Sequence, residues 1–254
     1  MEVITLDNVH FAYNSAPVIR GVSYNASGGS FTAMLGPNGS GKTTLIRLIN
    51  GMLTPKQGRV DLMGHSTSGM KAVDLARRMA YVPQREQNVF ASTVFDTILL
   101  GRNPYIKWTP GKEDRRIVSE IMVKLSLDEI ALKDINTLSG GQRQRVFIAR
   151  ALAQQPEVIL LDEPTANLDL RHQHEVLQLL MDLSRKGITL VMAIHDLNLA
   201  LKYCTDFMVL NEGMLVAHGG KEVFSRELIE KIYKVEVRII QEKDQTFIIP
   251  LKPL

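Results

Sequence analysis

The sequence predicts an α/β fold with a mostly parallel sheet, an N-terminal antiparallel β subdomain and a helical subdomain. Three observations carry this. Short strand-like runs separated by turn residues fill the first third of the chain, and an apolar run at residues 31–35 leads through a glycine-rich turn into a helical pattern. Strand and helix patterns then alternate again after a long helical stretch.

Taken in order, residues 3–6 and 9–13 read as strands, with Asn14, Ser15 and Pro17 marking the next turn. Ser27, Gly28 and Gly29 mark another turn before the strand at 31–35. A helix follows from Gly41 through Ile49, where Asn50 and Gly51 suit its C-terminus. Residues 93–137 carry helical periodicity, with Ile117, Ile121 and Leu125 spaced by four on one face. Residues 158–161 form a continuous apolar strand, Val176, Leu180 and Leu183 stripe a helix, and residues 188–194 form another strand. Two hairpins are expected after that. One turns through Asn211, Glu212 and Gly213; the other joins Val235, Val237 and Ile239 to Phe247 and Ile249. The organisation expected is one domain over residues 1–254, with the helical insertion at about 85–150 and a C-terminal hairpin at about 234–250.

Composition narrows the function classes. The 254 residues hold 30 basic and 27 acidic side chains, a net charge of +3 spread along the chain, which does not argue for a nucleic-acid partner, and none is expected. A single cysteine, Cys204, cannot form an internal disulfide and suits a reducing compartment. No apolar run approaches the roughly 18 residues of a membrane span, and the start MEVITLDNVH lacks a basic-then-apolar leader. A soluble protein that is not exported by its own means is expected.

The first chemical motif is Gly36-Pro37-Asn38-Gly39-Ser40-Gly41-Lys42-Thr43-Thr44, which fits G-x-x-x-x-G-K-[ST] between a strand and a helix. Glycines let the backbone wrap a phosphate group, so that amides and the helix N-terminus face the anion. Lys42 then reaches the β- and γ-phosphates of ATP, and the Thr43 hydroxyl is a Mg²⁺ ligand. The apolar strand at 158–161 ends in Asp162 and Glu163. Such an acidic pair is equally a helix N-cap, but beside a phosphate loop Asp162 reads as a water-mediated Mg²⁺ ligand and Glu163 as the group that polarises the attacking water. Ser139, Gly140, Gly141 and Gln142 open an amphipathic helix and form a second anion site, or alternatively a simple helix cap.

The run Leu138-Ser139-Gly140-Gly141-Gln142, followed by RQRVFIARAL, resembles the signature motif of ATP-binding cassette (ABC) ATPases. The likeness extends to the other motifs. Tyr13 matches the aromatic that stacks on adenine, and Gln84 matches the Q-loop glutamine, which touches Mg²⁺ and attacking water and senses the transmembrane partner. Asn167-Leu168-Asp169 matches the D-loop, although Asn167 stands where the family commonly has Ala. His195 matches the switch histidine that contacts the γ-phosphate.

The resemblance implies that two copies meet head to tail around two ATP molecules. Residues 139–142 of one copy then complete the site that Lys42, Asp162 and Glu163 build in the other.

The run Thr93-Val94 to Gly101-Arg102-Asn103-Pro104-Tyr105 resembles importer ATPases for ferric siderophores, haem and vitamin B12. That implies integral membrane permease subunits, an extracytoplasmic substrate-binding protein, and a place on the cytoplasmic face of the membrane. In that group a permease helix docks on the helical insertion, so exposed apolar residues between Val89 and Trp108 are the expected docking surface.

Zinc or manganese importers and separate exporter ATPases are alternatives, and a soluble non-transport ABC ATPase is a further one. The coiled-coil arms of a DNA-repair ATPase do not fit the 55 residues between Gln84 and Ser139.

Overall fold

A run such as Phe31-Thr-Ala-Met-Leu has no polar face to show to water, so it forms a strand only where both its faces are covered. In the computed structural model, which describes residues 1–84, 92–243 and 245–254, all five of these residues are buried. In chain order the elements are β1 (Glu2–Tyr13), β2 (Ala16–Ser27), β3 (Phe31–Leu35), α1 (Lys42–Ile49), β4 (Gln57–Leu62), β5 (His65–Ser66), α2 (Ala72–Arg78) and β6 (Met79–Val82). Then come α3 (Val94–Leu99), α4 (Lys112–Lys124), α5 (Gly140–Ala153), β7 (Val158–Asp162), α6 (Leu170–Arg185), β8 (Thr189–Ala193) and α7 (Leu197–Tyr203). The chain ends with β9 (Asp206–Asn211), β10 (Met214–Gly219), α8 (Arg226–Tyr233), β11 (Val235–Glu242) and β12 (Gln245–Pro253). It divides into one unit of residues 1–69 and 181–254 and a second of residues 70–180, the first boundary after the second unit falling inside α6.

In the first unit, β2, β1, β4 and β5 form an antiparallel sheet in that order. The sequence suggests two strands at 3–6 and 9–13, but these are one strand, β1, with a register shift between Leu6 and Val9. Asn8, at φ 46°, absorbs that irregularity, because Asn tolerates the left-handed region better than most residues. Strands β2 and β4 alternate less cleanly and have no apolar run to announce them. Strand β3 lies between β8 and β9, parallel to both, and β10 returns antiparallel to β9 through Glu212 and Gly213, both at positive φ. Leu45, Ile46, Leu48 and Ile49 of α1 are buried to within 1%. The C-terminal hairpin packs on α7 and α8, and the Asn198 side chain brackets Ile248 by accepting from its N–H at 2.8 Å and donating to its carbonyl at 3.1 Å. Cys204, at the end of α7, is buried, and burial pushes its thiol well above the usual range, which suits a small core residue.

In the second unit, β6 and β7 pair in parallel, and α3 and α4 pack on α5. Helix α4 buries Ile117, Val118 and Met122, with Leu125 buried at its end; Ile121, on the predicted stripe, is only half-buried, and Met122 one position on is buried in its stead. Arg102 is 4% exposed and closes the C-terminal end of α5. Its Nη1 donates to the Ala153 carbonyl at 2.7 Å and Gln155 Oε1 at 2.9 Å, and its Nε donates to Asp114 Oδ1 at 3.0 Å. The guanidinium lies 4.0 Å from the Tyr105 ring centroid, and the Tyr105 hydroxyl donates to the Gln154 carbonyl. A methyl at Gly101 would sit 2.1 Å from the Arg150 carbonyl oxygen, so this turn meets α5 backbone to backbone.

A helix C-terminus has unpaired carbonyls and partial negative charge, both of which a buried cation satisfies. Arg102→Met is expected to destabilise the chain by about 3 kcal/mol, because it strands these acceptors and the Asp114 carboxylate. Urea unfolding checks this, and a change within about 0.5 kcal/mol contradicts it. No helix among the described residues is long and apolar enough to cross a membrane.

Candidate functional site

In the first unit, β3 delivers the chain into the loop 36–41 and α1 takes it out. Gly36 has φ 142°, and a methyl there would lie 2.1 Å from the Leu210 carbonyl oxygen; Gly41 has φ 103° and would meet Ile19 Cδ1 at 2.8 Å. Both positions therefore require glycine for conformation and for space. Around Gly39, at φ 78°, a methyl would meet nothing, so there the backbone itself presents its polar groups. Lys42 is 6% exposed, and its Nζ donates to the Gly36 carbonyl at 2.8 Å and the Pro37 carbonyl at 3.0 Å, which draws the ammonium across the loop it follows. Among the described residues the Ser40 hydroxyl is buried without a hydrogen-bond partner. A buried hydroxyl left so is costly unless a ligand completes it.

A glycine cradle, an orphaned hydroxyl and a drawn-in ammonium ahead of Thr43 and Thr44 fit a phosphate chain.

Tyr13, which ends β1, is 42% exposed, and its ring makes a T-shaped pair with Phe11 at a centroid distance of 4.9 Å. An aromatic residue exposed to this extent is available for stacking. His195 is exposed directly after β8. Asp196 then caps α7, its Oδ1 accepting from the Asn198 and Leu199 N–H groups at 2.8 and 2.9 Å, so the histidine stands on a fixed helix start.

In the second unit, β7 ends at Asp162, which is 4% exposed, and the chain turns at Glu163 with φ 51°. A glutamate held in the left-handed region is strained by about 1 kcal/mol or more, the kind of cost that persists where a side chain must be aimed. Gln84, just after β6, donates from Nε2 to Glu163 Oε2 at 2.5 Å. Strands β6 and β7 are parallel neighbours, so their C-terminal ends lie together and bring these two side chains into contact. Asn167 also has φ above zero, at 60°. That accounts physically for its departure from Ala, since Asn enters this region more readily.

Ser139 caps α5, accepting from the Gln142 N–H at 3.3 Å, while the Gln142 side chain accepts from the Ser139 N–H at 3.3 Å. This reciprocal capping box fixes the amides at the start of a 14-residue helix. The docking surface expected between Val89 and Trp108 falls partly on residues 85–91, outside the described residues. Of the rest, Trp108 is 95% exposed and Leu100 is exposed as well. Among the described residues no cluster of three or more His, Cys, Asp or Glu side chains could hold a metal ion.

Tyr13, the phosphate loop and His195 thus lie in the first unit, and Gln84, Asp162, Glu163 and residues 139–142 in the second. The Gln84–Glu163 contact was unforeseen as a direct bond; parallel pairing of the two preceding strands was its available signal.

Comparison with known proteins agrees with this geometry. The ABC transporter family model matches residues 19–166. An uncharacterized ABC transporter ATP-binding protein of Methanocaldococcus jannaschii is 40% identical over 98% of this chain and 98% of its own. The ferric enterobactin transport ATP-binding protein FepC of Escherichia coli is 38% identical, covering 93% of this chain and 89% of its own. Among solved structures, an inward-facing conformation of a putative metal-chelate type ABC transporter superposes with a TM-score of 0.87 at 29% identity, over 98% of this chain and 97% of that one. A phosphate loop, a strand-end acidic pair and a capped signature helix, matched at this coverage, place the chain in the ATP-binding family of ABC transporters, as an ATP-binding ATPase.

Proposed function

We propose that this chain is the ATP-hydrolysing subunit of an importer for a metal chelate such as a ferric siderophore, haem or vitamin B12. Full-length similarity to a ferric enterobactin transport subunit carries the reading, together with the Gly101-Arg102-Asn103-Pro104-Tyr105 segment and likeness to a metal-chelate type transporter structure. The partners proposed are a second copy of the chain, separate membrane permease subunits and, through them, an extracytoplasmic substrate-binding protein. Attachment through the permease puts the chain at the cytoplasmic face of the membrane. Residues 1–254 act as one cassette, with about 85–150 as the helical subdomain and the hairpin at about 234–250 appended.

In this reading the adenine stacks on Tyr13, and the amides and side chains of Gly36, Pro37, Asn38, Gly39, Ser40, Gly41, Lys42, Thr43 and Thr44 cradle the phosphates. Thr43, Gln84 and Asp162 would hold Mg²⁺, which neutralises charge on the β- and γ-phosphates. Glu163 accepts the proton of the attacking water, and Gln84, already bonded to that carboxylate, orients it. His195 steadies the γ-phosphate. Ser139, Gly140, Gly141 and Gln142 of the second copy supply helix-N-terminal amides and a hydroxyl from the far side. Phosphoryl transfer asks mainly for position and charge neutralisation, and this set of groups supplies both without a covalent nucleophile.

Mixing subunits tests the shared site. Ser139→Arg and Lys42→Ala homodimers are each expected to be inactive, while their heterodimer regains one intact site and at most about half the wild-type rate. A heterodimer as inactive as the two homodimers would contradict the arrangement. The cargo is tested by purifying the complex from native membranes, identifying its permease, and measuring which chelate with its binding protein stimulates ATPase activity. Co-purification with an exporter membrane domain, or stimulation by zinc or manganese alone, overturns the metal-chelate reading.

A further inference from the structure

We infer that His172 is a positioning residue that locks residues 140–141 of the signature helix to the 167–172 turn, so that both reach the second copy's nucleotide as one rigid piece. The inference rests on the shared-site reading above. In the sequence His172 looks like half of a poor metal pair with His174, because positions two apart on a helix point away from each other. In the structure it has a different set of neighbours.

The His172 ring is held on its own helix. Asp169 caps α6, and its Oδ1 accepts both from the His172 backbone N–H at 2.8 Å and from ring Nδ1 at 2.6 Å. An ionised carboxylate only accepts, so Nδ1 carries the proton and the ring orientation is set. The turn is knitted further by Gln173, whose N–H donates to the Asp169 carbonyl at 2.9 Å.

That fixed ring lies against α5. A methyl built on Gly141 would fall 2.3 Å from His172 Cδ2 and 2.6 Å from Cγ, far inside any real contact. One on Gly140 would fall 3.3 Å from Leu168 Cδ2. Neither glycine has a positive φ, so the backbone conformation does not ask for glycine at either position. Within the chain, space against His172 and Leu168 asks for it. The first turn of α5, whose amides are the groups offered to the nucleotide, therefore takes its position from the imidazole.

The test separates positioning from folding. Glu163→Gln is expected to let unhydrolysed ATP hold two copies together, which size-exclusion chromatography detects. In that background His172→Ala is expected to raise the ATP concentration for half-dimerisation about tenfold, because the signature amides are then no longer held where the second copy's nucleotide needs them. Binding of a fluorescent ATP analogue to the monomer and the thermal unfolding midpoint should stay near their parent values. His172→Asn keeps a donor for Asp169 and should recover part of the loss. Dimerisation at the parent ATP concentration overturns the inference, and so does a loss matched by equal losses in monomer binding and thermal stability. Ser139→Arg, measured alongside, identifies which idea fails. If it leaves dimerisation intact, the shared-site reading falls and His172's role falls with it; if it abolishes dimerisation while His172→Ala does not, only the His172 inference is lost.

Discussion

Glu163→Gln is expected to reduce single-turnover ATP hydrolysis by about 100-fold or more, the usual contribution of a positioned general base, while leaving ATP binding in place. The amide has the same shape as the carboxylate and can occupy the same rotamer. The costly backbone geometry at φ 51° is also unchanged, since it belongs to the turn after β7 and not to the side-chain charge. What is lost is the capacity to take a proton. The bond from Gln84 Nε2 can persist onto the new amide oxygen, so the local contact should survive. A neutral acceptor weakens it, since hydrogen bonds to charged groups are stronger by about 1 kcal/mol. That predicts a small change in stability beside a large change in rate. Rapid-quench hydrolysis and equilibrium nucleotide binding measure the two separately. A single-turnover rate within about threefold of wild type would remove Glu163 from the role of base and leave Gln84 or His195 to be tested for it.

Much of this site could be read before the fold was known, because phosphate chemistry leaves local marks. The loop at 36–41 needs glycine where φ is positive or where backbones touch, and Gly36 and Gly41 meet both demands. The capping box between Ser139 and Gln142 is likewise a pattern of neighbouring residues. Strands β3, β7 and β8 were visible because burial on both faces makes them apolar throughout. Strands β2 and β4 were not, since neither is apolar throughout, and β4 takes its register from β1, a partner distant in sequence. Helix α8 was missed as well; its eight residues bury only Ile229 and Ile232, too few to set a period.

The least legible features were polar side chains serving distant backbone. Arg102 sits 51 positions from the Ala153 carbonyl it caps, and Asn198 sits 50 from the Ile248 peptide it brackets. No local pattern distinguishes such residues from ordinary surface groups. Arg102 shows why a short segment typical of one transporter group can have a structural explanation: glycine for close approach to α5, arginine for its carbonyls, and tyrosine for both the guanidinium and Gln154.

Lys42→Ala should act at binding instead of turnover, lowering ATP affinity by about 10- to 100-fold, as expected for one charge-assisted contact of 1.5–3 kcal/mol. Lys42 is 6% exposed and its ammonium is already drawn over the loop by the Gly36 and Pro37 carbonyls, so its charge is placed before any phosphate arrives. Little ordering entropy is then left to lose on binding, which makes this lysine worth more than a flexible surface one. Removing it also takes a donor from each of those two carbonyls, although Pro37 keeps the Ser40 N–H, so a modest loss of stability without nucleotide is expected too. The two effects separate in thermal unfolding with and without ATP. A ligand that binds only the folded state stabilises by RT ln(1 + [L]/Kd), so at fixed ATP the variant should lose most of the nucleotide-dependent rise in melting temperature. Its nucleotide-free melting temperature should fall by only a few degrees. An undiminished rise with ATP would mean that the loop amides bind the phosphates unaided. The buried ammonium would then be a structural tie across the loop, and the binding role given to it here would be wrong.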